Sequence, residues 1–140
     1  MVADDIDQVA ALEQLLFPDG WSLWAIRKEF EKPYTHCWDA KTGEKIIGYI
    51  FFSIVADELE LADIGIAPAF QKQGIASALL SQMLIIGKKA GARLALLEVR
   101  TTNYAAIALY EKFGFKTINI RKKYYQHDLS DAFIMSLTIV

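Results

Sequence analysis

Glu98 and Tyr110 are the side chains of this sequence best suited to moving a proton, and Asn103 lies between them, five residues after the first and seven before the second. Glu98 interrupts the apolar run Leu94-Ala95-Leu96-Leu97-Glu98-Val99-Arg100. A strand period of two puts it on the same face as Leu96 and Arg100. The C-terminal end of a mostly buried strand is where the ligand crevices of α/β sheets form, and a partly buried carboxylate there is a usable base. The same residue equally suits an ion pair with Arg100 or a neighbouring lysine. Asn103 suits a helix N-cap. Tyr110 falls on the helical face of Asn103 and Ile107, and suits a tyrosine at the edge of a core.

A second constellation, Gln71-Lys72-Gln73-Gly74-Ile75-Ala76, could hold a phosphate. It follows an apolar strand that ends at Pro68 and opens an apolar helix, so free backbone N–H groups and the positive end of a helix dipole meet there. Gly74 permits close backbone approach, and Ala76 keeps the first helical turn slim. The pattern differs from the dinucleotide Gly-x-Gly-x-x-Gly and from the Gly-Lys-Ser/Thr nucleotide loop. These six residues also fit a tight β–α turn of any α/β domain.

The elements that must position these groups follow from periodicity. Asp4 or Asp5 can cap a helix running to about Leu16, with Ile6, Val9, Leu12 and Leu16 at helical spacing. Phe17-Pro18-Asp19-Gly20 breaks it, and Ser22 starts a second helix to about Phe30. Strands are expected around residues 35–39, 46–55 and 58–66, the first two joined by a hairpin turn over 41–44. A helix over 74–90 carries Ile75, Leu79, Met83 and Ile86 on one face and ends at Gly91. Residues 94–99 read as a central strand covered on both faces. A short helix over 103–112 is closed by Gly114, and residues 115–120 and 132–139 read as a closing antiparallel pair. The result is one α/β domain over residues 1–140, a mixed central β-sheet flanked by helices on both faces.

Composition narrows the function classes. At 140 residues, 54% apolar and 23% charged, the chain has the profile of a single soluble globular domain. A net charge of −2 gives no electrostatic footprint for nucleic acid. The single cysteine, Cys37, rules out an intramolecular disulfide and suits a reducing cytoplasm. One cysteine and two histidines offer no zinc constellation, so no metal is expected. The most apolar run, residues 46–56, is half the ~20 residues of a membrane helix and is broken by Gly48. The acidic start, Met1-Val2-Ala3-Asp4-Asp5, lacks the basic segment of a signal peptide. Together these predict a cytoplasmic protein without membrane or nucleic-acid partners.

The two constellations together resemble the GNAT acetyltransferase superfamily. Gln71-x-x-Gly74-x-Ala76 is similar to its pyrophosphate loop, Arg/Gln-x-x-Gly-x-Gly/Ala. Residues 97–115, with Leu97-Glu98-Val99-Arg100, Asn103, Ala106, Leu109-Tyr110 and Gly114-Phe115, resemble the RimI-type ribosomal-protein-alanine N-acetyltransferases. Tyr124-Tyr125, Asp131-Ala132, Met135-x-Leu137, and the upstream Phe17-Pro18 with Trp21-Ser22 extend the likeness over essentially the whole chain. Three features depart from the pattern. The usual first strand is reduced to a few residues before Asp5. Gly20-Trp21 stands where the family has Pro-Trp, and residues 126–130 lack its Asp-Gly turn.

The resemblance implies acetyl-CoA as cosubstrate, a protein N-terminus, such as that of a ribosomal protein, as acceptor, and a three-part site. Backbone groups of Ile64, Gly65 and Ile66 would align the pantetheine arm like an added strand. Gln71, Lys72, Gln73, Gly74, Ile75 and Ala76 would hold the pyrophosphate, Asn103 would contact the cofactor, and Trp21, Tyr124 and Tyr125 would face the acceptor. Glu98 would take the ammonium proton, directly or through water, and Tyr110 would protonate or hydrogen-bond the leaving thiolate. With a thiol at pKa ~8.5 and tyrosine at ~10, full proton transfer is uphill by about 2 kcal/mol, so Tyr110 acts best as a hydrogen-bond donor. An α-amine at pKa ~8 is roughly 10% neutral at pH 7, lysine below ~0.1%, so a carboxylate base suits a chain terminus better than lysine. Two other readings stand beside this one: a GNAT enzyme for a small amine such as a polyamine or aminoglycoside, with Asp57, Glu58 and Glu60 as its acidic crevice, and a non-catalytic acyl-CoA sensor.

Overall fold

A computed structural model describes residues 1–125 and 130–140. The departure from the family's Asp-Gly turn falls largely on residues 126–129, outside that range. Among the described residues, apolar runs and apolar alternation build six strands: β1 (Thr35–Thr42), β2 (Lys45–Val55), β3 (Glu58–Ile66), β4 (Leu94–Arg100), β5 (Lys116–Arg121) and β6 (Ala132–Thr138). Four helices accompany them: α1 (Ile6–Leu16), α2 (Leu23–Glu31), α3 (Ile75–Lys89) and α4 (Tyr104–Lys112). The sheet order is β1-β2-β3-β4-β6-β5, with only β3 and β4 parallel. Among the described residues no helix is long and apolar enough to cross a membrane.

The helices α1 and α2 cover one face of β1–β3 through a core of Ile6, Val9, Ala10, Ile26, Tyr49 and Phe51. The opposite face packs on α3 and α4 through Phe52, Leu59, Leu61, Leu80, Met83, Leu97, Val99 and Tyr110. This arrangement corrects the reading of β4 as covered on both faces. Ala95, Leu97 and Val99 are buried, but Leu94, Leu96 and Glu98 are half-buried. The reason is lateral: α1 and α2 lie over β1–β3 and leave the other face of β4 partly open.

Two further expectations shift at the N-terminus. No strand precedes α1; Ala3–Asp5 forms a 3-10 turn instead. Asp5 makes no side-chain cap bond to α1, because its carboxylate accepts from Val2 N (2.9 Å) and pairs with Lys41 (2.9 Å). Ser22 does cap α2, accepting from Ala25 N at 3.1 Å.

The feature that shapes the site is a bulge in β3. Phe52 pairs with Leu61 and Phe51 with Asp63, so Ala62 has no opposite number. The extra residue bends the strand. The pairing of β3 with β4 covers only Glu58–Leu61 against Leu94–Leu97, and beyond it the two strands part.

Candidate active site

Where β3 and β4 part, a cleft of about 1270 Å³ runs through the sheet. Ile64, Gly65 and Ile66 form its β3 wall, and Glu98 with Arg100 its β4 wall. Strand edges that part in this way leave backbone groups without a ladder partner, ready for an extended ligand. At one end lie Gln71, Lys72, Gly74, Ile75 and Ala76, and Asn103 and Tyr110 of the α4 side also line the space. Trp21, Tyr124 and Tyr125 border it as well. The expected site residues therefore converge on one cleft, except Gln73. That residue is outside the lining, and its side-chain amide donates to Ala69 O at 3.3 Å.

The loop that opens α3 takes its shape from two left-handed residues, Lys72 (φ 62°) and Gly74 (φ 85°). Gly74 is the helix N-cap and has no side chain to fill the space before the first turn, so the free N–H groups of that turn stay open to an anion. Gln71 braces the loop by donating to Ile66 O at 3.0 Å.

Glu98 and Tyr110 enter the cleft from opposite faces of the sheet. The Glu98 face is shared with Leu96 and Arg100, on the side of α1 and α2. Glu98 does not pair with Arg100: its Oε1 meets Arg121 Nη1 at 2.6 Å. The Arg121 guanidinium in turn lies 4.6 Å from the centre of the Tyr124 ring. Burial, and then the neighbouring Glu98, push the Tyr124 hydroxyl up. Tyr110 comes from the α4 side, buried beside Phe115. Burial above all, with Asp63 and Tyr125 adding, raises its pKa and keeps it a neutral donor. Asn103 takes the helix-capping role, accepting from Ala106 N at 3.3 Å while it lines the cleft. Cys37 lies elsewhere, and burial pushes its thiol up to about 11, which keeps it protonated.

Several charged residues of the cleft, Glu13, Asp19, Asp63, Arg100 and Arg121 among them, were not among the expected site residues. Arg100 donates to Asp19 Oδ2 and to Ser130 Oγ, each at 2.9 Å, and stacks 4.1 Å from the Tyr125 ring centre. Glu13 and Asp63 meet under the cleft wall. Glu13 accepts from the Tyr49 hydroxyl and, at 2.9 Å, from Trp21 N. Asp63 Oδ2 is buried and receives no hydrogen bond among the described residues. Burial first, and then the hydrogen bond to Glu13, push the Asp63 carboxyl up to about 10. A retained proton that Asp63 donates to Glu13 satisfies that oxygen. Both acids left a trace in the sequence: Glu13 sits on the apolar stripe of α1, and Asp63 in an otherwise apolar stretch of β3.

Comparison with known proteins agrees with this geometry. Residues 6–115 match the family model described as Acetyltransferase (GNAT) family. The [ribosomal protein bS18]-alanine N-acetyltransferase of Escherichia coli is 40% identical over 96% of this chain and 92% of its own. The N-alpha-acetyltransferase RimI of Mycobacterium tuberculosis is 35% identical over 94% of this chain and 85% of its own. In three dimensions, the crystal structure of the ribosomal-protein-S18-alanine N-acetyltransferase from Escherichia coli superposes with a TM-score of 0.89. That superposition covers 99% of this chain and 90% of the other, at 32% identity. With sequence, cleft and relatives in agreement, this chain belongs to the GNAT acetyltransferase family.

Proposed function

We propose that this protein transfers the acetyl group of acetyl-CoA to the N-terminal α-amine of a protein, with a ribosomal protein as acceptor. The reading rests above all on one observation: Glu98 and Tyr110 reach the same cleft from opposite faces of the sheet. An amine arriving on the α1–α2 side meets a carboxylate. A thiolate leaving on the α4 side meets a phenol donor. The parted edge at residues 64–66 suits a pantetheine arm, and the open N-terminus of α3 suits a pyrophosphate.

In this reaction the amine nitrogen attacks the thioester carbonyl, the C–S bond breaks, and the thiolate departs. Glu98 accepts the ammonium proton, directly or through water. Tyr110 hydrogen-bonds the departing sulfur, a role that its raised pKa favours over proton transfer. A backbone N–H near Ile66 stabilises the oxyanion. Trp21, Tyr124 and Tyr125 border the acceptor. The ribosomal acceptor follows that of the similar bS18-alanine N-acetyltransferases, and it puts the reaction in the cytoplasm.

A small polycationic amine is less well served. Of Asp57, Glu58 and Glu60 only Glu60 lines the cleft, while Glu98 and Asp19 are matched by Arg121 and Arg100. A sensor needs neither the Glu98 carboxylate nor the Tyr110 hydroxyl. A thiol-release assay with acetyl-CoA tests all three readings. Its acceptors are free-N-terminus peptides, the same peptides blocked at the terminus but containing lysine, and a polyamine. Turnover confined to free termini supports the proposal. Turnover with polyamine alone replaces it, and cofactor binding without turnover leaves the sensor.

A further inference from the structure

Two loops form the lips of the cleft on its acceptor side, and they come from distant parts of the chain. One is the α1–α2 connection with Asp19, Gly20 and Trp21; the other follows β5 and carries Tyr124, Tyr125 and Ser130. The Arg100 side chain, from the last residue of β4, reaches both. Its two terminal nitrogens each make a 2.9 Å hydrogen bond, Nη2 to Asp19 Oδ2 and Nη1 to Ser130 Oγ. Its flat face lies 4.1 Å from the centre of the Tyr125 ring. In the second lip Tyr125 N donates to Ser130 O at 3.1 Å, and Thr101 N at the strand end donates to Asp131 O at 3.0 Å. The Arg100 and Asp19 side chains are only 20% and 24% exposed, so water screens their pair less than it does a surface pair.

We propose that Arg100 is a positioning residue that clasps both lips and so fixes the width of the acceptor groove. It does not touch the transferred group. The planar fork and stacking face of a guanidinium make all three contacts at once, which the point charge of lysine cannot. This inference rests on the α-amine reading of the site and is tested alongside it.

The experiment compares the parent protein with Arg100→Gln, Arg100→Lys and Asp19→Asn by hydrogen exchange and by steady-state kinetics with a free-N-terminus peptide. In Arg100→Gln, amides of residues 17–22, 122–125 and 130–131 exchange faster together, while α3 is unchanged. The peptide KM rises about tenfold, the loss of one charge-assisted hydrogen bond, and the acetyl-CoA KM stays within about twofold. Asp19→Asn loosens residues 17–22 alone, and Arg100→Lys falls between parent and Arg100→Gln. Unchanged exchange in both segments overturns the clasp. Faster exchange with an unchanged peptide KM, or an acetyl-CoA KM that rises in step, overturns its part in acceptor binding. If the parent protein acetylates no free N-terminus, the α-amine reading falls, and hydrogen exchange still decides whether the clasp exists.

Discussion

Replacing Asp63 by Asn isolates what a buried, proton-sharing acid does to the stability of this protein. An aspartate in the unfolded chain titrates near pKa 3.9, whereas in the folded protein Asp63 is pushed up to about 10. Between those values the folded state holds one proton more than the unfolded state. Stability therefore falls as pH rises through this window, by about 1.4 kcal/mol per pH unit in the limit. From pH 5 to pH 8 the limiting loss is about 4 kcal/mol. Asp63 is partly open to the cleft, so we take half of that, about 2 kcal/mol, as the working magnitude. Against a typical total of about 5–15 kcal/mol this is a large share. The Asn amide has the same shape, can donate to Glu13 in place of the acid proton, and has no proton to lose. Urea unfolding in half-unit steps from pH 5 to pH 8.5 gives the difference between Asp63→Asn and the parent. That difference should move in favour of the variant by about 2 kcal/mol across the range. A difference that does not change with pH would refute the shared proton.

Glu98→Gln should lower kcat by about 10²–10⁴-fold, the usual share of a general base. Its urea midpoint should barely move, because the partner Arg121 is half-exposed and such pairs contribute at most about 1 kcal/mol. Tyr110→Phe keeps the ring packed against Phe115; we expect kcat/KM to fall about tenfold or more with less than about 1.5 kcal/mol of lost stability, and an unchanged rate would remove Tyr110 from the reaction. Gly65→Ala would drive a new Cβ into the Tyr49 hydroxyl and within 2.8 Å of Leu16 Cδ1. Thermal unfolding should show a loss of about 1–3 kcal/mol, and a neutral result would show that Tyr49 can move aside.

Much of the fold was legible because it depends on local pattern. The continuous apolar run in 46–55, alternation in 58–66, helical spacing in 75–89, and the punctuation at Gly43, Gly91 and Gly114 mark the elements without reference to distant residues. The phosphate-type loop and the Glu98–Tyr110 segment are likewise contiguous in sequence. What escaped notice depends on register between strands. The bulge at Ala62 exists only relative to β2, yet it turns Asp63 toward Glu13 in α1. As an ion-pair partner for Glu98 the sequence offered Arg100 or a neighbouring lysine. Arg121 takes that place, reaching from β5 across the intervening β6, and Arg100 is drawn away to Asp19 and Ser130. The brace that the Gln73 side chain gives to the preceding turn was likewise not legible from its place in the phosphate-type loop.

The short pairing of β3 with β4 also bears on how the molecule comes together. The first three strands form an antiparallel meander of neighbours in sequence, and β5 pairs with β6 next along the chain. Contacts of that kind close small loops and form early, whereas the β3–β4 seam joins residues 36 apart and the β4–β6 pairing residues 32 to 44 apart. With four residue pairs along it, the seam is the thinnest join in the sheet. Its short length thus argues that partial opening of the native protein begins along this line. Cofactor that fills the gap beyond the seam would bridge both sides of it, making the substrate a temporary part of the scaffold that binds it.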